Sequence, residues 1–207
     1  MTLENIQLYK NDFPKDLIIE GDLAIDTEAM GLNNKRDRLC LIQIADSLRN
    51  IYIIQIEKGI TSAPNLNKLL SNPETQKIFH FARFDISVIY QYLGISINNI
   101  FCTKIASKLV RTYTESHGLK DLCRELLSVQ VSKQQQSSDW GSDELTKEQK
   151  IYAANDVIHL HAIREKLHNL LVREGRRELA QACFDFLPHR AQLDLAGWNE
   201  VDIFAHH

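Results

Sequence analysis

Two runs rich in Ile and Leu, RLCLIQIAD (Arg38 to Asp46) and NIYIIQIE (Asn50 to Glu57), are separated only by Ser47, Leu48 and Arg49. Such runs around a short polar spacer predict a β-hairpin with at least one well-buried strand. That hairpin needs cover. A chain of 207 residues can supply it as one well-buried domain, whereas two domains would each be small. With 44% apolar and 25% charged residues, the composition is that of an ordinary soluble globular protein. No apolar run approaches the roughly 20 residues that span a bilayer, so no membrane partner is expected. The opening MTLENIQLYKNDFPKD lacks the basic start and apolar core of a secretory signal. Cys40, Cys102, Cys123 and Cys183 are scattered without a CxxC pair, which argues against a thiolate zinc site and fits reduced thiols in a cytoplasm. A formal net charge of -3 gives no support to broad, non-specific duplex binding. It leaves room for a small phosphorylated ligand, or for one bound through metal ions.

Along the chain, Asp16 to Ala24 reads as a first strand broken at Gly21-Asp22, with DLAID as its productive part. Pro64 opens a short helix through Leu70, because proline suits a first helical turn. KIFHF (Lys77 to Phe81) reads as another strand, followed by a helix from Arg83 to Leu93 that Gly94 ends. Beyond Gly94 the pattern turns helical, with helices predicted over Thr103–Val110, Leu119–Leu127 and Thr146–Gly175. Thr146 is the expected N-cap of the last of these, with Gln149 as its capping-box partner. The polar stretch Val131 to Glu144 is long enough to be a working loop. A final helix, Arg176 to Phe186, is expected to stop before Pro188. Strands first and helices later, around a mixed sheet, make this an α/β or α+β domain.

The chemistry starts in LAIDTEAMGL, Leu23 to Leu32. Residues two apart on a strand share a face, so Asp26 and Glu28 point the same way. Carboxylates that close repel each other unless a proton or a cation lies between them. Asp85 follows FHFARF at the start of a helix, and Asp156 sits among Ala153, Ala154, Val157 and Ile158, one turn after Tyr152. Singly, each has a bland explanation as a cap, a partner of the helix dipole or a packed hydrogen-bonded pair. One shared site for hard cations accounts for all four acids at once. An oxygen-rich, His-poor set suits Mg²⁺ or Mn²⁺ better than Zn²⁺. His159 and His161 do not change this, since no third nitrogen or sulfur ligand lies within sequence range.

The segments DTE, HFARFD and YAANDV, in this order, resemble the three motifs of the DEDDy 3′–5′ exonucleases, with the ribonuclease D branch nearest. SDW followed by LTKEQKIYAANDV resembles the approach to the third motif in that branch. The resemblance runs from Leu23 to His161 and implies a ribonuclease H-like mixed β-sheet flanked by α-helices. Two features depart from ribonuclease D proper. GSDE replaces the usual Arg-Pro after the tryptophan, and only residues 157–207 follow Asp156, so no appended HRDC-type helical domain is expected. Both point to short relatives with a single exonuclease domain over 1–207. DTEAMGL with SKQQQSSDWG is most similar to the nano-RNase C family. That family degrades very short RNA, dinucleotides in particular, and assembles as a ring-shaped homo-octamer.

The resemblance implies that Asp26, Glu28, Asp85 and Asp156 hold two divalent ions, Mg²⁺ or Mn²⁺, about 4 Å apart. Asp26 is expected to bridge them and Asp85 to act through water. Tyr152 joins the four acids as a catalytic residue. Its ordinary pKa of about 10 favours aiming the water over taking its proton. Substrate contacts are expected from Leu32, Met30, His80, Arg83, Gln136, Ser137 and Trp140. Leu32 is either a wedge between two bases or a core leucine. His80 and Arg83 can contact phosphate, or Arg83 can form a structural salt bridge. Trp140 either lines the cleft or anchors its loop. Lys104, Lys108 and Arg111 form a basic stripe for longer RNA or merely a solvated face. His206 and His207 are native or belong to a tag. The leading function is exoribonuclease action on short single-stranded RNA. The alternatives are action on longer structured RNA or DNA, and a non-catalytic nucleic-acid-binding module.

Overall fold

The Ile- and Leu-rich hairpin forms as expected, and it lies inside a six-stranded sheet. In this computed structural model, which describes residues 6–132, 134–135 and 137–206, β3 (Leu39–Ala45) and β4 (Ile51–Gln55) pair antiparallel from Leu41↔Gln55 to Ala45↔Ile51. Every residue of both strands is buried. Because successive strand residues face opposite ways, this requires cover on both sides of the sheet. Burying each such Leu or Ile is worth on the order of 1.5–3 kcal/mol. These strands are therefore the stiff frame on which the acids ride.

Next to β3 runs β2 (Leu23–Ala29), antiparallel, with an irregularity between Glu28 and Ala29. β5 (Lys77–Phe79) lies parallel to β2, and β6 (Ile100–Cys102) parallel to β5. β1 (Ile6–Lys10) closes the opposite edge, parallel to β4, giving the order β1-β4-β3-β2-β5-β6. The helices are α1 (Pro64–Leu70), α2 (Ala82–Leu93), α3 (Thr103–Val110), α4 (Leu119–Leu127), α5 (Lys147–Ile158), α6 (Leu160–Arg173) and α7 (Arg177–Leu193). α5 packs on β2, β3 and β4, while α2 packs on β3 and β5. The mixed sheet with flanking helices is the expected ribonuclease H-like α/β fold. Among the described residues, no helix is long and apolar enough to cross a membrane.

Three expectations need correction, and two strands, β1 and β6, had no counterpart among them. The strand over Asp16–Ala24 does not form before Leu23: Leu17 turns back onto the Pro14 carbonyl, and Ile18 is 78% exposed. The first strand is instead Ile6–Lys10, a half-exposed edge strand that only its pairing with β4 reveals. β6 is three residues long, too short to show a period. The helix expected over Thr146–Gly175 is two, meeting at His159, because apolar spacing continues across a change of direction. Pro188 does not stop the last helix. α7 runs through it to Leu193, held by buried Phe184, Leu187 and Ala191 on either side. The capping box of Thr146 and Gln149 is present as expected.

Candidate active site

β2 delivers two acids to one face and α5 supplies a third across from them. One carboxylate oxygen from each of Asp26, Glu28 and Asp156 lies within 4.8 Å of the others. Asp26 accepts a hydrogen bond from Gln43 Nε2 at 2.6 Å, across the β2–β3 pair. Glu28 receives no hydrogen bond among the described residues. Asp85 stands beside this trio at the start of α2, where its Oδ1 accepts the Thr27 hydroxyl at 2.6 Å.

The electrostatics follow from burial and mutual repulsion. Asp26 is pushed well above the usual carboxylate range by burial, then by Asp85, Asp156 and Glu28. Burial, Asp156 and Asp85 raise Glu28 to about 9. Burial raises Asp85 to about 7 against the Thr27 hydrogen bond, and Asp156 to about 7 against the pull of the Tyr152 hydroxyl. Burial and the Asp156, Glu28 and Asp26 carboxylates push the Tyr152 phenol upward. A cluster of hard oxygen donors that cannot all ionise without a counter-charge fits a divalent cation.

The cage is braced from the loop between α4 and α5. Trp140, 3% exposed, packs on Tyr152 with ring centroids 5.9 Å apart. Arg38 Nη2 donates to the Gly141 carbonyl at 3.2 Å and Gln55 Nε2 to that of Ser142 at 2.7 Å. Gln149, besides capping α5, donates to Ser138 Oγ at 2.9 Å. At the other rim Met30 is 53% and Leu32 89% exposed. A Cβ at Gly31 would lie 2.3 Å from Asp37 Oδ2, so glycine is needed for the chain to pass there.

The structure sorts the remaining candidates. Leu32 is not a core leucine. Ser137 is exposed on the loop, whereas Gln136 lies outside the described residues, as does His207. Trp140 is an anchor: its burial against Tyr152 leaves it no cleft surface in this chain. Arg83 is not free for phosphate, because Asp194 takes its Nε at 2.6 Å and its Nη2 at 2.8 Å. His80 does not serve as a phosphate-binding cation. Burial, helped by Lys104, holds its pKa down to about 3. Arg111 leaves the basic stripe, being 1% exposed and bonded to Ser107, the Ser116 carbonyl and Glu125. His161 donates to or accepts nothing near the acids; its Nε2 meets the Asp22 carbonyl at 3.0 Å. Gln43 and Thr27 are neighbours of the acids that the motif reading missed. A lone amide inside the apolar run LIQIA was a visible signal for Gln43.

Residues 6–172 match the model of a 3′–5′ exonuclease family, and the chain belongs to that family. A solved structure of Brucella melitensis NrnC bound to pGG is 51% identical, with a TM-score of 0.94, covering 98% of each chain. The same protein with bound Mg²⁺ is 50% identical with a TM-score of 0.93, over 98% of this chain and 99% of that one. Ribonuclease D of Gluconacetobacter diazotrophicus is 33% identical over 157 residues, which are 76% of this chain but 39% of that protein. The chain thus spans well under half of the curated relative. The NrnC structure with Mg²⁺ accords with the divalent-metal character of the acid cluster.

Proposed function

We propose that this protein is a 3′–5′ exoribonuclease that degrades short single-stranded RNA, down to dinucleotides, to 5′-mononucleotides. The observation that carries this reading is the likeness, over 98% of the chain, to a structure bound to pGG. Asp26, Glu28 and Asp156 would hold the divalent metal, and Asp85, held by the Thr27 hydroxyl beside them, would complete the acidic set. Two divalent ions, when bound, supply charge stabilisation to the attacking and leaving oxygens. Tyr152, kept protonated by burial and its acidic neighbours, aims the water rather than taking its proton. Trp140 fixes the Tyr152 ring. Leu32 and Met30, exposed beyond the end of β2, are the surface against which bases rest. Ser137 adds a substrate contact from the loop.

A homo-octamer is part of the proposal, on the resemblance to nano-RNase C. Exposed Leu179, Val172 and Phe204 offer apolar surface for it. A monomeric mass in solution would overturn the octamer. The setting we propose is the cytoplasm, in keeping with four free cysteines. Ribonuclease D as a relative supports a second reading, action on longer RNA. Both readings meet in one assay: 5′-labelled RNA and DNA from dinucleotides to about 20-mers, with Mg²⁺, with Mn²⁺ and with chelator. Fastest turnover of dinucleotides is expected, and Leu32→Ala should weaken it. Preference for the longest RNA would favour the second reading, and activity surviving chelation would sink the metal-dependent mechanism.

A further inference from the structure

His80 directly follows β5, whose last residue, Phe79, pairs with Ile25 on one side and Cys102 on the other. The next residues on those strands are Asp26 and Thr103. His80 therefore stands at the same sheet edge as the first cage acid. Its Nδ1 lies 2.9 Å from Thr103 Oγ1, and the Thr103 hydroxyl donates to the Phe79 carbonyl at 3.1 Å.

A threonine hydroxyl has one proton. With that proton committed to Phe79, Thr103 can only accept from His80, so Nδ1 carries the ring proton. Nε2 then presents a lone pair. It makes no hydrogen bond among the described residues, and the ring is half-buried rather than enclosed in the core. Burial and the neighbouring Lys104 push the His80 pKa down to about 3, which favours the neutral ring. The His80 ring thus offers an acceptor rather than a cation. Phosphate oxygens are acceptors themselves and gain nothing there. The donors that a nucleotide brings close to its reacting phosphate are the ribose hydroxyls, and the 2′-OH separates RNA from DNA.

We propose that His80 Nε2 accepts a hydrogen bond from a ribose hydroxyl of the bound substrate and so makes His80 a residue that sets sugar specificity. The proposal rests on the nucleolytic reading above. It is tested by a cycle between protein and substrate. Wild type and His80→Ala are compared on an all-ribose guanosine dinucleotide and on its 2′-deoxy and 3′-deoxy forms, by turnover and by equilibrium binding. Removing the hydroxyl that His80 reads should cost wild type about tenfold in kcat/KM. The same removal should cost His80→Ala almost nothing. Coupling to the 2′-deoxy substrate assigns the contact to the 2′-OH, and coupling to the 3′-deoxy substrate assigns it to the 3′-OH. Equal losses in both proteins for both substrates would overturn the proposal.

Thr103→Val keeps the imidazole but removes the acceptor that sets its tautomer. It should lower wild-type discrimination at least threefold, about half the logarithmic effect of His80→Ala. Full discrimination in a folded Thr103→Val protein would equally overturn it. Turnover of the all-ribose substrate by wild type reads the nucleolytic proposal separately. The binding cycle reads His80 even where turnover fails.

Discussion

The turn of the central hairpin and the neighbouring strand β2 treat a water-shielded carboxylate in opposite ways. At the turn, Asp46, 3% exposed, accepts from the Leu48 and Asn50 amides at 3.0 and 2.8 Å, from Asn50 Nδ2 at 2.8 Å and from the Tyr52 hydroxyl at 3.2 Å. Across the sheet, Asp26 has Gln43, Glu28 has no hydrogen bond among the described residues, and both face Asp156. The Asp46 charge is met by donors built into the fold. The cage charges are met mainly by one another, which raises Glu28 to about 9. Asp46 is buried and the cage acids are half-buried, so both places limit access to water. A deficit of donors distinguishes a carboxylate kept for a cation from one that ties a turn.

The strongest way to break this contrast is Asp156→Asn. Losing one cage acid should cut nuclease turnover about 1000-fold or more, as several kcal/mol of lost charge stabilisation implies. It should at the same time raise the melting temperature of the chelated protein, since a repelled charge has gone. A drop in both quantities would make Asp156 a structural acid like Asp46. Tyr152→Phe follows, with turnover down about 100-fold and metal affinity unchanged by calorimetry. A rate near wild type would remove the hydroxyl from the mechanism and leave only its packing on Trp140.

Asp46→Asn tests the other side. Exchanging an acceptor for an amide among four donors should cost about 1.5–3 kcal/mol in a urea melt, with kcat unchanged. A further expected effect, spread over several pH units, is a slope in pH. Folded-state values raised to about 7 and about 9 mean that the folded chelated protein holds more protons than the unfolded chain. Its stability should therefore fall as pH rises from about 5 to about 9. Added Mg²⁺ should restore it, and most at the alkaline end, where the acids are deprotonated. A chelated protein that gains stability over this range would contradict the raised values.

Much of the site was legible because its parts are local. Two acids at strand spacing and a Tyr and Asp at helical spacing are patterns that backbone periodicity makes readable. The capping box at Thr146 and Gln149 was readable for the same reason. Contacts that cross the chain were not. Asp194 lies 111 residues from Arg83, and nothing local indicates that the pair forms. The burial of Arg111 beside Glu125 was equally hidden, because its helical spacing with Lys104 and Lys108 describes an exposed face and a buried one alike. β1 escaped notice because an edge strand needs only half an apolar pattern.

The sequence by itself determined the helical and strand segments with strong periods, the identity of the five catalytic candidates and the hardness of the metal they suit. Each depends on residue type and short spacing, which the chain carries wherever it folds. Only the tertiary structure decided that Asp26, Glu28 and Asp156 converge within 4.8 Å while Asp85 is held aside by Thr27. It also decided that Leu32 faces solvent, that Trp140 is an anchor and that His80 bonds Thr103 beside the acids. Those outcomes depend on which distant groups share a hydrogen bond or exclude water, and that is settled by packing across the sheet.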